Sequence, residues 1–413
     1  MTIPAVLDLD SVVIRSLPEL RAAAEERFNL ASWPTRKDQT WRFADLKRNS
    51  IEGFPAPARL AVEKSGPWDA VSRLDLDTAL ERHGDVFGRA IEESLGSLGS
   101  ARHLAWGLKS ENLTGECWIV GEGQKLDAPL VANVRASGQG HAALLSLVWV
   151  KRGASAIIWE DLGSAVGDSV FIVNGTVVVV EDGAEVTFVG SQELSQTSKL
   201  VNCLHVVPGA QSKVRDVRIN LGAQWVRQEV SAALGQAGAD CELFGLSLAG
   251  AGEEVDQRTL QAHEAGGVHS NLLYKNALFA NSRSVFSGLI RVDHGAHQTD
   301  AFQSCRNLLL SDEAEANSMP GLEINADQVR CSHGSTCGQI DPEEVFYLRA
   351  RGIREEAARH LVTFGFAYDI LSRVGNEAIE EQLSARVESR LFALREQPVE
   401  SGTQAVNGDG ELA

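Results

Sequence analysis

Between about residues 115 and 340, apolar side chains recur at every second position in short β-branched runs such as CWIV, AIIW, FIVNGTVVVV and EVTFVG, separated by Gly, Asp, Asn and Ser. Alternation with period two sends neighbouring side chains to opposite faces, so these runs predict strands. Upstream the spacing is helical. Residues 12–30, VVIRSLPELRAAAEERFNL, form an amphipathic pattern, and 78–98, TALERHGDVFGRAIEESLGSL, repeat it with interruptions at Gly84 and Gly88. Residues 1–112 are therefore expected to form a mainly helical domain. Helical signals return at Asp341, where DPEEVFYLRARG supplies an aspartate cap, a proline at the first helical position, two glutamates in the first turn and Gly352 as a stop. The next helix sets Ala357, Leu361, Phe364, Tyr368 and Leu371 on one face, and NEAIEEQLSARVESRLFALREQ predicts a third. These helices make residues 339–398 a C-terminal helical domain, and the polar, aperiodic residues 399–413 read as a disordered tail.

A longer period runs through the strand region. A small dipeptide, usually Gly-Ala, precedes an alternating run at Gly153, Gly183, Gly209, Gly238, Gly267, Gly295 and Asn325, at spacings of 30, 26, 29, 29, 28 and 30 residues. Gly and Asn tolerate the left-handed backbone of a tight corner, and one corner repeated at this spacing fits a solenoid better than a sandwich. Residues 113–338 are thus expected to fold as a right-handed parallel β-helix with one coil per repeat. The fold class is mainly β, flanked by helical domains.

Composition narrows the function. The chain has 413 residues, 44% of them hydrophobic and 23% charged, and a formal net charge of −18. So acidic a chain is a poor match for nucleic acid or an anionic membrane surface. No apolar run reaches transmembrane length and the N-terminus has no signal-peptide pattern, so a cytoplasmic location is expected, with the six dispersed cysteines reduced. No phosphate-binding loop G-x-x-x-x-G-K-[ST], no G-x-S-x-G and no H-E-x-x-H occurs.

Three groups of residues carry candidate chemistry. Cys331, His333 and Cys337 lie within seven residues, and thiolate with imidazole suits iron, zinc or an iron–sulfur cluster. The set lacks a fourth ligand, and buried thiols beside a hydrogen-bonded histidine are the alternative reading. In an extended strand Cys331 and His333 share a face. His294 and His297 with Asp293 and Asp300, and His263 with His269 one coil earlier, are either metal or acid–base groups or polar residues satisfying backbone at corners. Phe346, Tyr347, Phe364, Phe366 and Tyr368, with Arg351, form either the core of the C-terminal domain or a docking surface for a partner. A β-helical carbohydrate-active enzyme is the alternative function class, resting on fold alone.

The segment 296–353 contains NLLLS-x-x-A-E, a proline followed by L-E-I, C-S-H-G and F-Y-L-x-x-R-G-I in order. In these motifs it resembles the SufB/SufD family of iron–sulfur cluster assembly proteins, and PTRKDQTWRFADLKR at 34–48 resembles the tryptophan motif at the N-terminus of the SufD branch. The resemblance implies a non-catalytic scaffold in a complex with SufB and two copies of the ATPase SufC. Pairing with SufB would be through the β-helix, and SufC would dock on the C-terminal helices. It places Cys331 and His333 at the SufB–SufD interface, as contributors to a nascent iron–sulfur cluster or iron held there. The cysteine and glutamate that the family credits to SufB fall on Ala314 and Gly334, which points to the SufD branch. The isolated chain is accordingly expected to bind no cofactor; self-pairing into a homodimer without SufB stays open.

Overall fold

The computed structural model describes residues 14–396 apart from 36, 49, 97 and 98, and the expected tail lies outside the described residues. The strands stack into a β-solenoid of about 8 turns with helices on both sides. Successive strands alternate between two sheets, so each coil contributes one strand to either wall. One wall runs from Leu113–Val120 to the short strands Glu315–Ser318 and Gly321–Ile324; the other runs from Leu130–Ser137 to Arg330–Gly338. Coil pairs with coil in parallel. Two antiparallel strands, Arg59–Ser65 and Ser72–Asp75, close the N-terminal end of the stack.

The corners depart from expectation in an informative way. The left-handed residue lies two positions before the first paired residue of each strand in the second wall after Leu130–Ser137. It is Gly153, Gly183, Gln211, Gly238, Gly267, Gln298 or Gln328, with φ between 56° and 73°; ahead of Leu130–Ser137 the left-handed Gly123 instead precedes an isolated bridge from Lys125 to Ser155. Gly209, Gly295 and Asn325 are not these corners; in their three coils a glutamine two or three residues later holds the turn. The corner N–H donates to the next coil's backbone, Gly183 to the Ala210 carbonyl at 2.9 Å and Gln211 to that of Ala237 at 3.1 Å. This bond offsets the modest cost of a left-handed non-glycine residue.

Helices α1 (Leu17–Leu30), α2 (Leu76–Gly96) and α3 (Ala101–Leu108) cover the first wall. Gly84 and Gly88 do not end α2; they let the Ile14 backbone approach so closely that a Cβ on Gly84 would lie 2.5 Å from the Ile14 carbonyl oxygen. The segment after α1 docks through Trp41, whose ring stacks 6.3 Å from Trp225 with the Arg227 guanidinium 4.1 Å from its centroid. Arg227 also donates to the Thr40 carbonyl, and Arg258 to that of Arg42, while both guanidiniums pair with buried Asp256.

The C-terminal helices are α4 (Pro342–Arg349), α5 (Glu355–Leu371) and α6 (Glu377–Arg395). Helices α5 and α6 lie back along the second wall and bury Trp159, Val217, Phe244 and Leu246. The side of α5 that is buried is Ala358, Thr363, Ala367, Ile370 and Leu371. Of the face read from the sequence, only Leu371 is buried, whereas Leu361 and Tyr368 are exposed, because small residues let the helix settle on the wall. Arg386 of α6 reaches the second coil and forks onto Asp161 at 2.7 and 3.1 Å. Burial pushes the Asp161 carboxyl up, but hydrogen bonds and charge from Arg386, with Ser191 and Arg135, outweigh it and hold the group below its usual range. A depressed carboxylate stabilises the fold above its unfolded pKa and loses that contribution as pH falls through the folded one. Asp161→Asn should therefore lower stability at pH 7 by roughly 2–4 kcal/mol, less than for a fully buried pair because Arg135 and Arg386 keep some solvent. Chemical denaturation at several pH values should show the gap to the parent closing below about pH 4.

Candidate functional site: the open end of the solenoid

Strand Arg330–Gly338 ends the second wall, and among the described residues nothing pairs with its outer edge. Its register with the preceding coil fixes which way each side chain points. Cys331, His333, Ser335 and Cys337 stand opposite Ala301, Gln303, Cys305 and Asn307, all buried and inward-facing. The four residues of the last coil thus occupy lumen positions with no further coil above them. Cys331 is half-buried against Ile290, Val292 and Ala301, and burial raises its thiol pKa. His333 is exposed and has no hydrogen-bond partner among the described residues. Cys337 is exposed, and the Asn307 side-chain amide donates to its sulfur at 3.5 Å.

Alternate residues of a strand lie about 7 Å apart, which puts Cys331 and His333 within reach of one ligand and leaves Cys337 about 13 Å from His333. The structure brings the first two together and separates the third. Cys117, Cys203, Cys241 and Cys305 are buried with raised thiol pKa, Cys117 and Cys305 to about 12; at the edge strand the reading of buried thiols holds in part for Cys331. It does not fit Cys337, and a structural hydrogen bond does not account for His333. Among the described residues no three His, Cys, Asp or Glu side chains converge as a metal site. His297 donates to the Asp327 carbonyl at 2.9 Å, Asp293 pairs with Arg291 and Asp300 with Arg330, so these residues serve the corners. His263 is buried against Ser270 and pushed down to about 4 by burial and by His269.

Gly334 sits beside His333 on the opposite face of the edge strand with open space where a side chain would project. Ala314 is partly buried against the solenoid interior.

Next to the open end, α4 presents Phe346 and Tyr347, 72% and 56% exposed, with the Arg351 guanidinium 3.5 Å from the Tyr347 ring centroid. Tyr368 is exposed and Phe364 half-buried beside it. Phe366 turns toward the wall, where the Lys275 ammonium lies 4.6 Å from its ring. Leu361, named in the sequence only as part of the α5 face, and Phe392, which stacks 4.4 Å from His360, are also exposed. Leu361 lies in the right helical row but reads there as core, and Phe392 falls in the apolar run LFAL, where it reads as core as well.

Comparison with known proteins bears on this arrangement. The family model for the SufBD core domain of the SUF system of FeS cluster assembly matches residues 134–366, more than half of the chain. An iron–sulfur cluster assembly SufBD family protein of Mycobacterium tuberculosis is 30% identical over 378 residues, covering 87% of this chain and 89% of the relative. The counterpart in Mycobacterium leprae is 27% identical over 377 residues, 87% of this chain and 90% of the relative. The iron–sulfur cluster assembly protein SufD of Escherichia coli is 36% identical over 171 residues, 41% of this chain and 40% of the relative. The match spans coils and edge strand alike: this chain belongs to the SufB/SufD family of iron–sulfur cluster assembly proteins.

Proposed function

We propose that the chain is the SufD-type subunit of a SufBCD complex, a scaffold without catalytic activity of its own. The observation that carries this reading is the edge strand Arg330–Gly338: nine residues long, largely exposed, and bearing Cys331 and His333 on one side. A long open edge offers unpaired backbone N–H and C=O groups to another strand, and most proteins block such edges. Here SufB supplies the matching edge, its own ligands complete the set begun by Cys331 and His333, and the nascent cluster or iron is cargo at the junction. A second copy of this chain fits the same edge when SufB is absent. The apolar surface of Phe346, Tyr347 and Tyr368 docks the ATPase SufC, which supplies the ATP hydrolysis. Among the described residues no helix is long and apolar enough to cross a membrane. Family membership leaves the carbohydrate-active alternative without support.

Two measurements test this reading. In a complex reconstituted from the three subunits, His333→Ala should lower the rate of cluster formation at least about tenfold, a loss of roughly 1.4 kcal/mol or more. Its melting temperature and subunit stoichiometry should match the parent's, since His333 has no partner to strand. Cys331→Ser should have a smaller effect on that rate. Full activity of His333→Ala would remove the histidine from the site.

The docking surface is tested by Phe346→Glu with Tyr347→Ser. This pair should abolish co-purification of SufC while leaving SufB bound and the melting temperature within about 2 °C, because exposed side chains contribute little to folding. Unchanged SufC binding would place the contact elsewhere.

A further inference from the structure

The interior of the solenoid is not uniformly apolar. Valines, leucines and alanines form two separate clusters, one against each corner, and a band of polar side chains runs between them through successive coils. In the second wall Gln192, Asn220, Ser247, Asn276, Asn307 and Cys337 stand in register, one per coil. In the first wall Asn174, Asn202, Gln228 and Gln257 do the same. A third file alternates large and small as Glu160, Gly190, Arg218, Gly245, Tyr274, Cys305 and Ser335. The glycines are required there, since a Cβ on Gly190 would lie 2.3 Å from the Arg218 guanidinium and one on Gly245 2.8 Å from the Tyr274 ring.

Hydrogen bonds link parts of this band. Asn174 donates to Glu160 at 2.7 Å and to Asn202 at 3.1 Å; Asn220 donates to Gln228 at 2.9 Å and to Ser247 at 3.2 Å; Asn276 donates to Asn307 at 2.9 Å, and Asn307 to Cys337. Between the linked groups lie buried atoms with no partner among the described residues: Thr176 Oγ1, Gln257 Oε1, Thr259 Oγ1, Asn276 Oδ1 and Gln303 Oε1. A lone orphan of this kind is tolerable, but a line of them at about 1–3 kcal/mol each is not, and ordered water is the usual remedy. Both ends of the band reach solvent. At one end Glu160 and Ser146 line a cavity of about 80 Å³ with Lys64 and Glu116, and at the other stand Ser335 and Cys337.

We propose that this band holds a file of ordered water joining the cavity beside Glu160 to Ser335 and Cys337 at the open end, an internal route for water and protons. The route acquires a purpose from the function proposed above, on which this part rests. A partner strand laid over the open edge would shut that end off from bulk solvent, and the lumen would then link it to the cavity beside Glu160.

The test reads hydration alone, so it can fail while the scaffold reading stands, and the reverse. In D₂O, the side-chain amides of Asn202, Gln228, Gln257 and Asn276 should exchange about tenfold or more faster than backbone amides of the strands that carry them. Exchange as slow as the backbone's at any of the four would break the file and overturn the proposal. Thr259→Val supplies a second, sign-based test, because it swaps a hydroxyl for a methyl of equal size. A water-bonded hydroxyl predicts a lower melting temperature for the variant; a dry, orphaned hydroxyl predicts a higher one, which would also overturn the proposal.

Discussion

The parallel hydrogen-bond ladder from coil to coil is the constraint on which every other feature depends. It repeats at offsets of 26 to 32 residues and holds each coil in register with the last. Because side chains alternate strictly along a strand, register decides whether a residue enters the lumen or meets a helix. Asp161 and Glu160 show how sharp that division is. They are adjacent in sequence, yet Asp161 anchors α6 from outside while Glu160 faces the lumen and bonds to Ser146 and Asn174. A slip of one residue would exchange these environments and break both. The corner bonds, with their left-handed Gly or Gln, hold the register coil by coil.

A stack of coils has two ends and two outer faces, and three of these four surfaces are covered. The antiparallel strands close the first end, and helices cover both walls through ionic as well as apolar contacts. Arg227, Asp256, Arg258 and Glu229 are almost wholly buried under the N-terminal segment, so detaching that segment would bring paired charges back into contact with water but leave Trp41 and Trp225 exposed. The helical layers are consequently part of one body with the solenoid. The open end departs from this economy of coverage.

Much of this was legible in the sequence, and the failures have identifiable causes. The β-helix followed from period-two alternation within a repeat near 28 residues, since both are imposed by backbone geometry alone. Three corners were misplaced because Gln211, Gln298 and Gln328 carry no residue-type signal for a left-handed backbone; only stacking in three dimensions permits them there. The face of α5 was misread because its buried side is made of alanines and a threonine, which a search for large apolar residues passes over. Cys331 and His333 were visible as residue types on one strand face. That the strand is an uncovered edge was not, because edge or interior depends on what comes after it in space. The polar band was legible in principle as one amide or hydroxyl at a fixed offset in each repeat, but it is diluted by twenty-odd intervening residues.

The residue types at the open end argue that it is more than a place where the stack stops. Repeat proteins ordinarily finish on a coil whose exposed side is polar and inert, to keep the terminal edge soluble. Within the interior coils the lumen positions below the edge row hold Ala301, Gln303, Cys305 and Asn307, chosen for packing and amide bonding. In the last coil the same four positions hold two thiols, an imidazole and a hydroxyl, three of them good ligands for iron. Interior packing cannot explain that change, since His333 and Cys337 are not packed, and solubility does not call for thiols. A strand with an unpaired edge and soft side chains along one side is what the proposed pairing with a second chain would use, that chain supplying both the next strand and the remaining ligands. On that view the incomplete ligand set is a consequence of dividing one site between two chains, and the ladder that fixes the solenoid is also what places this half of it.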